Sequence, residues 1–375
     1  MLQTKEKSPF MLAHEEGSNP AVGVTCHSHY SKSISDCQSD NPSWKKTDSE
    51  ITKKFIPKKN NSLLLSDSYI RLGLESKAHR VSECGSYLEF AYEISSDGEV
   101  SENGKLHTAN FCRDRMCPMC SWRRSYKIFG QVSQIMELIG NQYKFLFLTL
   151  TVPNCSGDDL SDTLDRMMNA YRKLIRYKEF KVVRGFFRAL EITRNKDPRS
   201  KSFGTYHPHF HVVLAVPKMY GKGSCYIGHA RWLELWQRAM KDSSITQVDI
   251  RVARDKSNSD SSDPELSSAV AEIAKYAVKD SDYIYPGQED LTDQIVSTLT
   301  GALHHRRLVA YGGVFQEAFE KLKLDDPEDG DLVHINEKLN PTLAWLIVKY
   351  GWSCGTYEMT DTYIKTPGEG VSDGE

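Results

Sequence analysis

Apolar residues recur along this chain with two different periods, and the switches between them mark its elements. KFLFLTLTV (144–152), GFFRALEITR (185–194) and TYHPHFHVVLAV (205–216) are short apolar or alternating runs that predict strands, and ITQVDIRVA (245–253) is a weaker fourth. The polar stretch NKDPRSKSFG, with its Pro and Gly, separates the second from the third and predicts an antiparallel hairpin with a long tip. Between the first two strands, Leu160, Leu164, Met167, Met168, Tyr171, Leu174 and Ile175 recur at helical spacing. ARWLELWQRAMK (230–241) and AVAEIAKYAVKD (269–280) predict two more helices, the second entered through the flexible loop RDKSNSDSSDPELSS (254–268). Strands interleaved with helices predict an α+β fold, a central antiparallel sheet with flanking helices.

The ends read differently. Residues 1–60, rich in Ser, Asn, Lys and Asp, predict a disordered N-terminal extension, and 321–375 a C-terminal extension closing on the disordered tail TPGEGVSDGE. No apolar run approaches the roughly 20 residues of a membrane span, and MLQTKEKSPF lacks the apolar core of a signal peptide. A cytoplasmic protein is the expectation. Its nine cysteines then read as thiols or metal ligands rather than disulfides.

A formal net charge of -2 excludes a uniformly basic nucleic-acid coat, so any such partner must be met by local patches. Candidates are Arg172, Lys173 and Arg176 in YRKLIRYKEFKVVR (171–184), Arg123 and Arg124 in WRRSYK (122–127), and HHRR (304–307). The alternative is ordinary solvated helix faces. No G-x₄-G-K-[ST] loop occurs, so neither a nucleotide cofactor nor a built-in helicase is expected.

Alternation along the third strand sends His207, His209 and His211 to one face and Phe210, Val212, Leu214 and Val216 to the other. Same-face neighbours lie about 6.6 to 7 Å apart, so two imidazoles converge on one ion more readily than three. Pro208 cannot donate to a ladder, which predicts regular pairing only after it and leaves His207 at the rim. Glu191, a charge within the apolar run FFRALEIT, is the candidate third ligand. Two imidazoles and a carboxylate with open positions suit a divalent ion that also holds a substrate oxygen. Thr149 and Thr151 share a face of the first strand and either line this site or serve structure alone.

On the helix AEIAKYAVK, Glu272, Tyr276 and Lys279 fall within an arc of about 60°, with Tyr276 at the seam between core and solvent. Upstream, FCRDRMCPMCSWRRS sets Cys112, Cys117 and Cys120 at zinc-knuckle spacing. Cys84 is the candidate fourth ligand, His107 the alternative, and buried thiols without metal the competing reading.

Taken in order, FLFLTLT, YHPHFHVVLAV and EIAKYAVK resemble the three motifs of plasmid rolling-circle replication initiators, single-tyrosine members of the HUH endonuclease superfamily. The resemblance covers about 80–320: a Cys-rich zinc-binding or DNA-contacting element at 80–130 and a nickase domain at 140–320. It implies Mg²⁺ or Mn²⁺ on His209 and His211, Tyr276 as a nucleophile that leaves a 5′-phosphotyrosine and a 3′-OH primer, and Lys279 as its cationic partner. Glu272 falls on the glutamate that activates water for the terminating cleavage. Implied partners are plasmid origin DNA, single-stranded or cruciform at the nick, with a host helicase and polymerase. Competing readings are a single-tyrosine transposase or mobilisation relaxase, and a non-catalytic DNA-binding protein of the same fold.

Overall fold

The computed structural model describes residues 44–221, 226–252, 278–335 and 339–367. In chain order its elements are α1 (Trp44–Arg71), α2 (Glu75–Glu83), β1 (Tyr87–Ile94), β2 (Lys105–Ala109), α3 (Pro118–Ile139), β3 (Tyr143–Thr151), α4 (Leu160–Leu174), β4 (Gly185–Arg194), β5 (Tyr206–Pro217), α5 (His229–Met240), β6 (Val248–Val252), α6 (Glu289–Leu303), β7 (Val309–Gly313), α7 (Val314–Lys321), β8 (Ala344–Ser353) and β9 (Thr356–Lys365). Antiparallel sheets with flanking helices make an α+β protein. No helix among the described residues is long and apolar enough to cross a membrane. The chain divides into two compact units, one of Met1–Asn60, Glu83–Phe111 and Glu337–Glu375, the other of Asn61–Ser82 and Cys112–Asn336.

The second unit holds a five-stranded sheet in the order β6-β3-β5-β4-β7. The histidine strand β5 lies at its centre and pairs antiparallel with β3 and with β4, the long-tipped hairpin the sequence predicts. One face is largely apolar, with the buried Arg188 guanidinium laid over the rings of Tyr171 and Phe210, and packs on α4 and α5, with Tyr171 5.7 Å from Phe210 and Phe210 6.3 Å from Trp236 between ring centroids. The other face changes character along its strands. Phe145, Phe147, Phe187, Val213 and Tyr311 occupy one end, where Phe145 meets Phe315 of α7 at 6.1 Å. Past the row of His211, the same face becomes polar. Burial of the aromatic end fixes the register, and the register aligns the polar rows. Gly313 makes the turn into α7 at φ 56°, where an added Cβ would lie 2.1 Å from the Arg184 carbonyl oxygen, so the position admits glycine alone.

The first unit holds a sheet in the order β2-β1-β8-β9. Phe90 packs edge-on against Phe55 at 5.6 Å and Tyr350 at 5.9 Å. Three expectations are corrected. The N-terminal extension is not disordered to residue 60, because α1 starts at Trp44. Its buried face is Thr52, Phe55, Lys59, Ser62, Leu65, Ser66 and Tyr69, helically spaced but half polar, so apolar periodicity did not reveal it. The segment 321–375 is not a mere extension, because β8 pairs with β1 from Tyr87↔Gly351 to Ile94↔Ala344. Pairing along β4 also runs through Pro208 to Arg194↔Tyr206. Tyr206 exchanges two 2.9 Å hydrogen bonds with Cys155 on the β3 side. Pro208, two residues on, turns its nitrogen the same way and leaves the missing donor in the gap between Cys155 and the end of β3.

Candidate metal centre

The register sets Glu191 directly across from His209, with Thr151 opposite His209 on the other side. One row further, His211 lies between Ala189 and Thr149. The small Ala189 leaves room for Glu191 to reach both rings. His209 Nε2, His211 Nε2 and Glu191 Oε2 form a triangle with edges of 3.1, 3.2 and 2.8 Å. All three residues are buried, none more than 8 % exposed.

The tautomer of His209 follows from its other nitrogen. Nδ1 lies 3.1 Å from the His207 carbonyl oxygen, which only accepts, so Nδ1 carries the hydrogen and the neutral ring presents a bare Nε2. A second imidazole nitrogen and a carboxylate oxygen point at the same spot. Three lone-pair donors converging in a buried place need a proton or a cation between them. Ligands about 2.1 Å from an octahedral ion stand about 3 Å apart when cis, so this triangle matches one face of such a coordination sphere. The residues therefore fit a divalent ion with positions left for water or a substrate oxygen. When protons rather than an ion fill the triangle, burial pushes the Glu191 carboxyl upward, but hydrogen bonds from and positive charge on His209 and His211 outweigh it and hold it well below the usual carboxylate range. The half-exposed Lys279 ammonium stands 3.7 Å from Glu191 Oε1 and adds a cation beside the triangle.

His207 is not in this group. Its ring lies 5.4 Å from that of His209, and burial, with His209 beside it, lowers its pKa. Thr151 Oγ1 donates to the Gln247 carbonyl at 2.9 Å, which ties β3 to the chain before β6. Thr149 lies in the His211 row between β5 and Asp249 of β6. Glu272 and Tyr276, with most of the helix 269–280 and the loop 254–268, lie outside the described residues. Tyr283 is 1 % exposed and its hydroxyl donates to the Met116 carbonyl, so it cannot serve as a nucleophile.

The cysteine block folds as a knuckle. Within the second unit, Cys112, Cys117 and Cys120 bring their sulfurs within 4.8 Å of one another. Arg113, at φ 60°, turns the chain so that its own N–H meets Cys120 Sγ at 3.2 Å and that of Asp114 meets Cys112 Sγ at 3.4 Å. Such N–H···S bonds stabilise thiolate character, as a structural zinc requires. In the first unit Cys84 is fully buried, its carbonyl accepting from Lys59 Nζ at 2.9 Å, and His107 lies on β2.

Of the basic patches, one is corrected outright. Arg124 is 1 % exposed and donates to the carbonyls of Glu328, Asp114 and Arg113 at 2.9, 3.0 and 2.5 Å, so no phosphate reaches it. Arg123 likewise spends its guanidinium on Leu332 and Val333, and burial draws its pKa down to about 10. In HHRR, Arg306 and Arg307 pair with Asp165 and Asp326. Arg172, Lys173 and Arg176 are exposed, but α4 covers the face opposite the histidines. Two features had no sequence signal in hydropathy: the Lys279 to Glu191 contact, and a cluster of rings around Arg194 at the hairpin base.

A family profile described as "Replication protein" matches residues 103–357. The chain is 43 % identical over 276 residues to a "Protein rep" of Bacillus amyloliquefaciens, covering 70 % of this chain and 78 % of that one. It is 42 % identical over 302 residues to a "Protein rep" of a Bacillus species, covering 77 % and 94 %. It is 36 % identical over 284 residues to a "Protein rep" of Streptococcus pneumoniae, covering 74 % and 82 %. No solved structure matches the chain.

Proposed function

The chain belongs to the replication protein (Rep) family of plasmid replication initiators, and from that premise we propose that it nicks one strand of its origin with Tyr276 as nucleophile. The observation that carries this reading is the buried triangle of His209, His211 and Glu191 with Lys279 beside it. Held there, Mg²⁺ or Mn²⁺ would polarise the scissile phosphate. The phenol oxygen of Tyr276 attacks phosphorus. A P–O bond to tyrosine forms as the bond to the 3′ oxygen breaks, which leaves a 5′-phosphotyrosine and, once protonated, a 3′-OH primer. Lys279 stabilises the charge that develops on the phosphate. After one round, Glu272 acts as general base for the water that performs the terminating cleavage.

Cys112, Cys117 and Cys120 are ligands of a structural Zn²⁺. Arg172, Lys173 and Arg176 supply a basic surface for flanking DNA. Single-stranded or cruciform origin DNA is the substrate, a host helicase and polymerase extend the primer, and the bacterial cytoplasm is the site of action. The test is incubation of the protein with a supercoiled plasmid bearing its origin. Relaxed circles carrying covalently bound protein should form with Mn²⁺ and not with EDTA, and supercoils untouched in both would overturn the reading.

A further inference from the structure

Five consecutive residues, Lys279 to Tyr283, are tied to four separate parts of the second unit. The Lys279 ammonium stands 3.7 Å from Glu191 Oε1 of β4. Asn61 Nδ2 of α1 donates to Asp280 Oδ2 at 2.9 Å. Lys196 Nζ, two residues past the end of β4, donates to the Ser281 carbonyl at 2.7 Å and pairs with Asp282 Oδ1 at 2.7 Å. The buried Tyr283 donates to the Met116 carbonyl, just ahead of α3. Within the segment, Asp280–Asp282 form a single 3₁₀ turn, closed by the Asp282 N–H on the Lys279 carbonyl at 2.9 Å.

The ties from Asn61 and Met116 reach α1 and the chain ahead of α3, not the strands that carry the metal ligands. Lys279 is beyond hydrogen-bond range of Glu191 and half exposed, so that contact places the segment near the metal centre without fixing it. Lys196 supplies the fixed link. It follows Glu191 by five residues on the same stretch of chain, and its neighbour Asn195 locks the hairpin. The Asn195 N–H donates to the Thr205 carbonyl and the Gly204 N–H to the Asn195 carbonyl, both at 2.9 Å, while Asn195 Nδ2 donates to Ser200 and Ser202 at 3.0 and 2.8 Å. Asp282 is 7 % exposed, so its carboxylate meets the ammonium away from bulk water, where the attraction is stronger.

Tyr276 precedes Lys279 by three residues. Three residues of chain span at most about 11 Å, so whatever fixes Lys279 also limits where Tyr276 can stand. The chemistry tolerates little error, because a misplacement of about 1 Å can cost about 100-fold in rate. We propose that Lys196, through Asp282 and the Ser281 carbonyl, is a positioning residue that sets Tyr276 against the scissile phosphate. The proposal rests on the nickase reading and adds the link between the nucleophile's segment and the metal-bearing hairpin.

The test uses the full chain with single-stranded DNA from its origin and Mn²⁺, and follows the covalent adduct in a single turnover with protein in excess. The double variant Lys196→Met, Asp282→Asn removes both charges and leaves no buried carboxylate unpaired. It should form the adduct about 10- to 100-fold more slowly than wild type. Its affinities for Mn²⁺, by calorimetry, and for the DNA, by fluorescence anisotropy in EDTA, should match those of wild type. Lys196→Arg, which keeps a cation and its donors, should keep most of the rate. In the metal-free protein, amide exchange of the peptide 277–284 should quicken in the double variant while that of β5 stays as in wild type. An unchanged rate, an unchanged exchange, or a rate loss that tracks a loss of Mn²⁺ or DNA affinity would overturn the proposal. A wild type that forms no adduct removes the nickase reading and the proposal together, whereas a wild type that cuts beside an equally fast double variant removes the proposal alone.

Discussion

Replacing Arg124 by Met separates a structural arginine from a DNA-contacting one. The variant keeps an apolar stem of similar length and deletes donors that reach three carbonyls at 2.5 to 3.0 Å. In the variant the carbonyls of the buried Glu328 and Asp114 lose their donor, and an unsatisfied buried acceptor costs about 1 to 3 kcal/mol. Taking the low figure for each of the two gives a loss of about 2 kcal/mol, a sizeable share of the roughly 5 to 15 kcal/mol that holds a domain folded. The damage should be local as well, because the lost contacts join the knuckle at Arg113 and Asp114 to the loop at Glu328. Urea unfolding followed by circular dichroism reads the loss as a lower midpoint at unchanged slope. The exposed Arg172→Ala should stay within about 0.5 kcal/mol of wild type and instead reduce the salt dependence of DNA binding. An Arg124→Met protein as stable as wild type, but with a shallower salt dependence of DNA binding, would refute the assignment.

Glu191→Gln removes the anionic corner of the triangle with little change of shape, so Mn²⁺ affinity measured by calorimetry should drop by about two orders of magnitude or more; unchanged affinity would place the ion elsewhere. The Glu191 carboxyl is held below its ordinary value, so its contribution to stability is complete above the unfolded value of about 4.3 and is lost as pH falls toward the native one. Metal-free wild type should therefore lose stability below about pH 4.5 more steeply than Glu191→Gln, and parallel curves would contradict the coupling. Elemental analysis should find one zinc per chain, and Cys117→Ala should lose both that zinc and cooperative unfolding; a zinc-free but fully stable wild type would remove the structural metal.

What could be read in the sequence was what strand geometry alone decides. Alternation put His209 and His211 on one face, and an isolated charge in an apolar strand marked Glu191; the register brings these three together. Local pattern failed where partners far apart in sequence decide the outcome. Lys59 looks like a surface residue in a polar helix, yet it is buried because the Cys84 carbonyl receives it. Arg123 and Arg124 have the composition of a phosphate contact, but carbonyls of the 328–333 loop, more than 200 residues later, consume them. β9 alternates poorly because nearly all its side chains are exposed, and only its backbone pairing with β8 makes it a strand.

The central claim is that this metal centre serves a tyrosine that becomes joined to DNA. Its most direct test is mass spectrometry of the protein after reaction with origin-bearing single-stranded DNA and Mn²⁺, followed by nuclease and protease digestion. A 5′-phosphonucleotide carried on the peptide at Tyr276, absent from Tyr276→Phe and from His209→Ala, is the predicted result. An adduct at Tyr285, or one that persists in Tyr276→Phe, would contradict it.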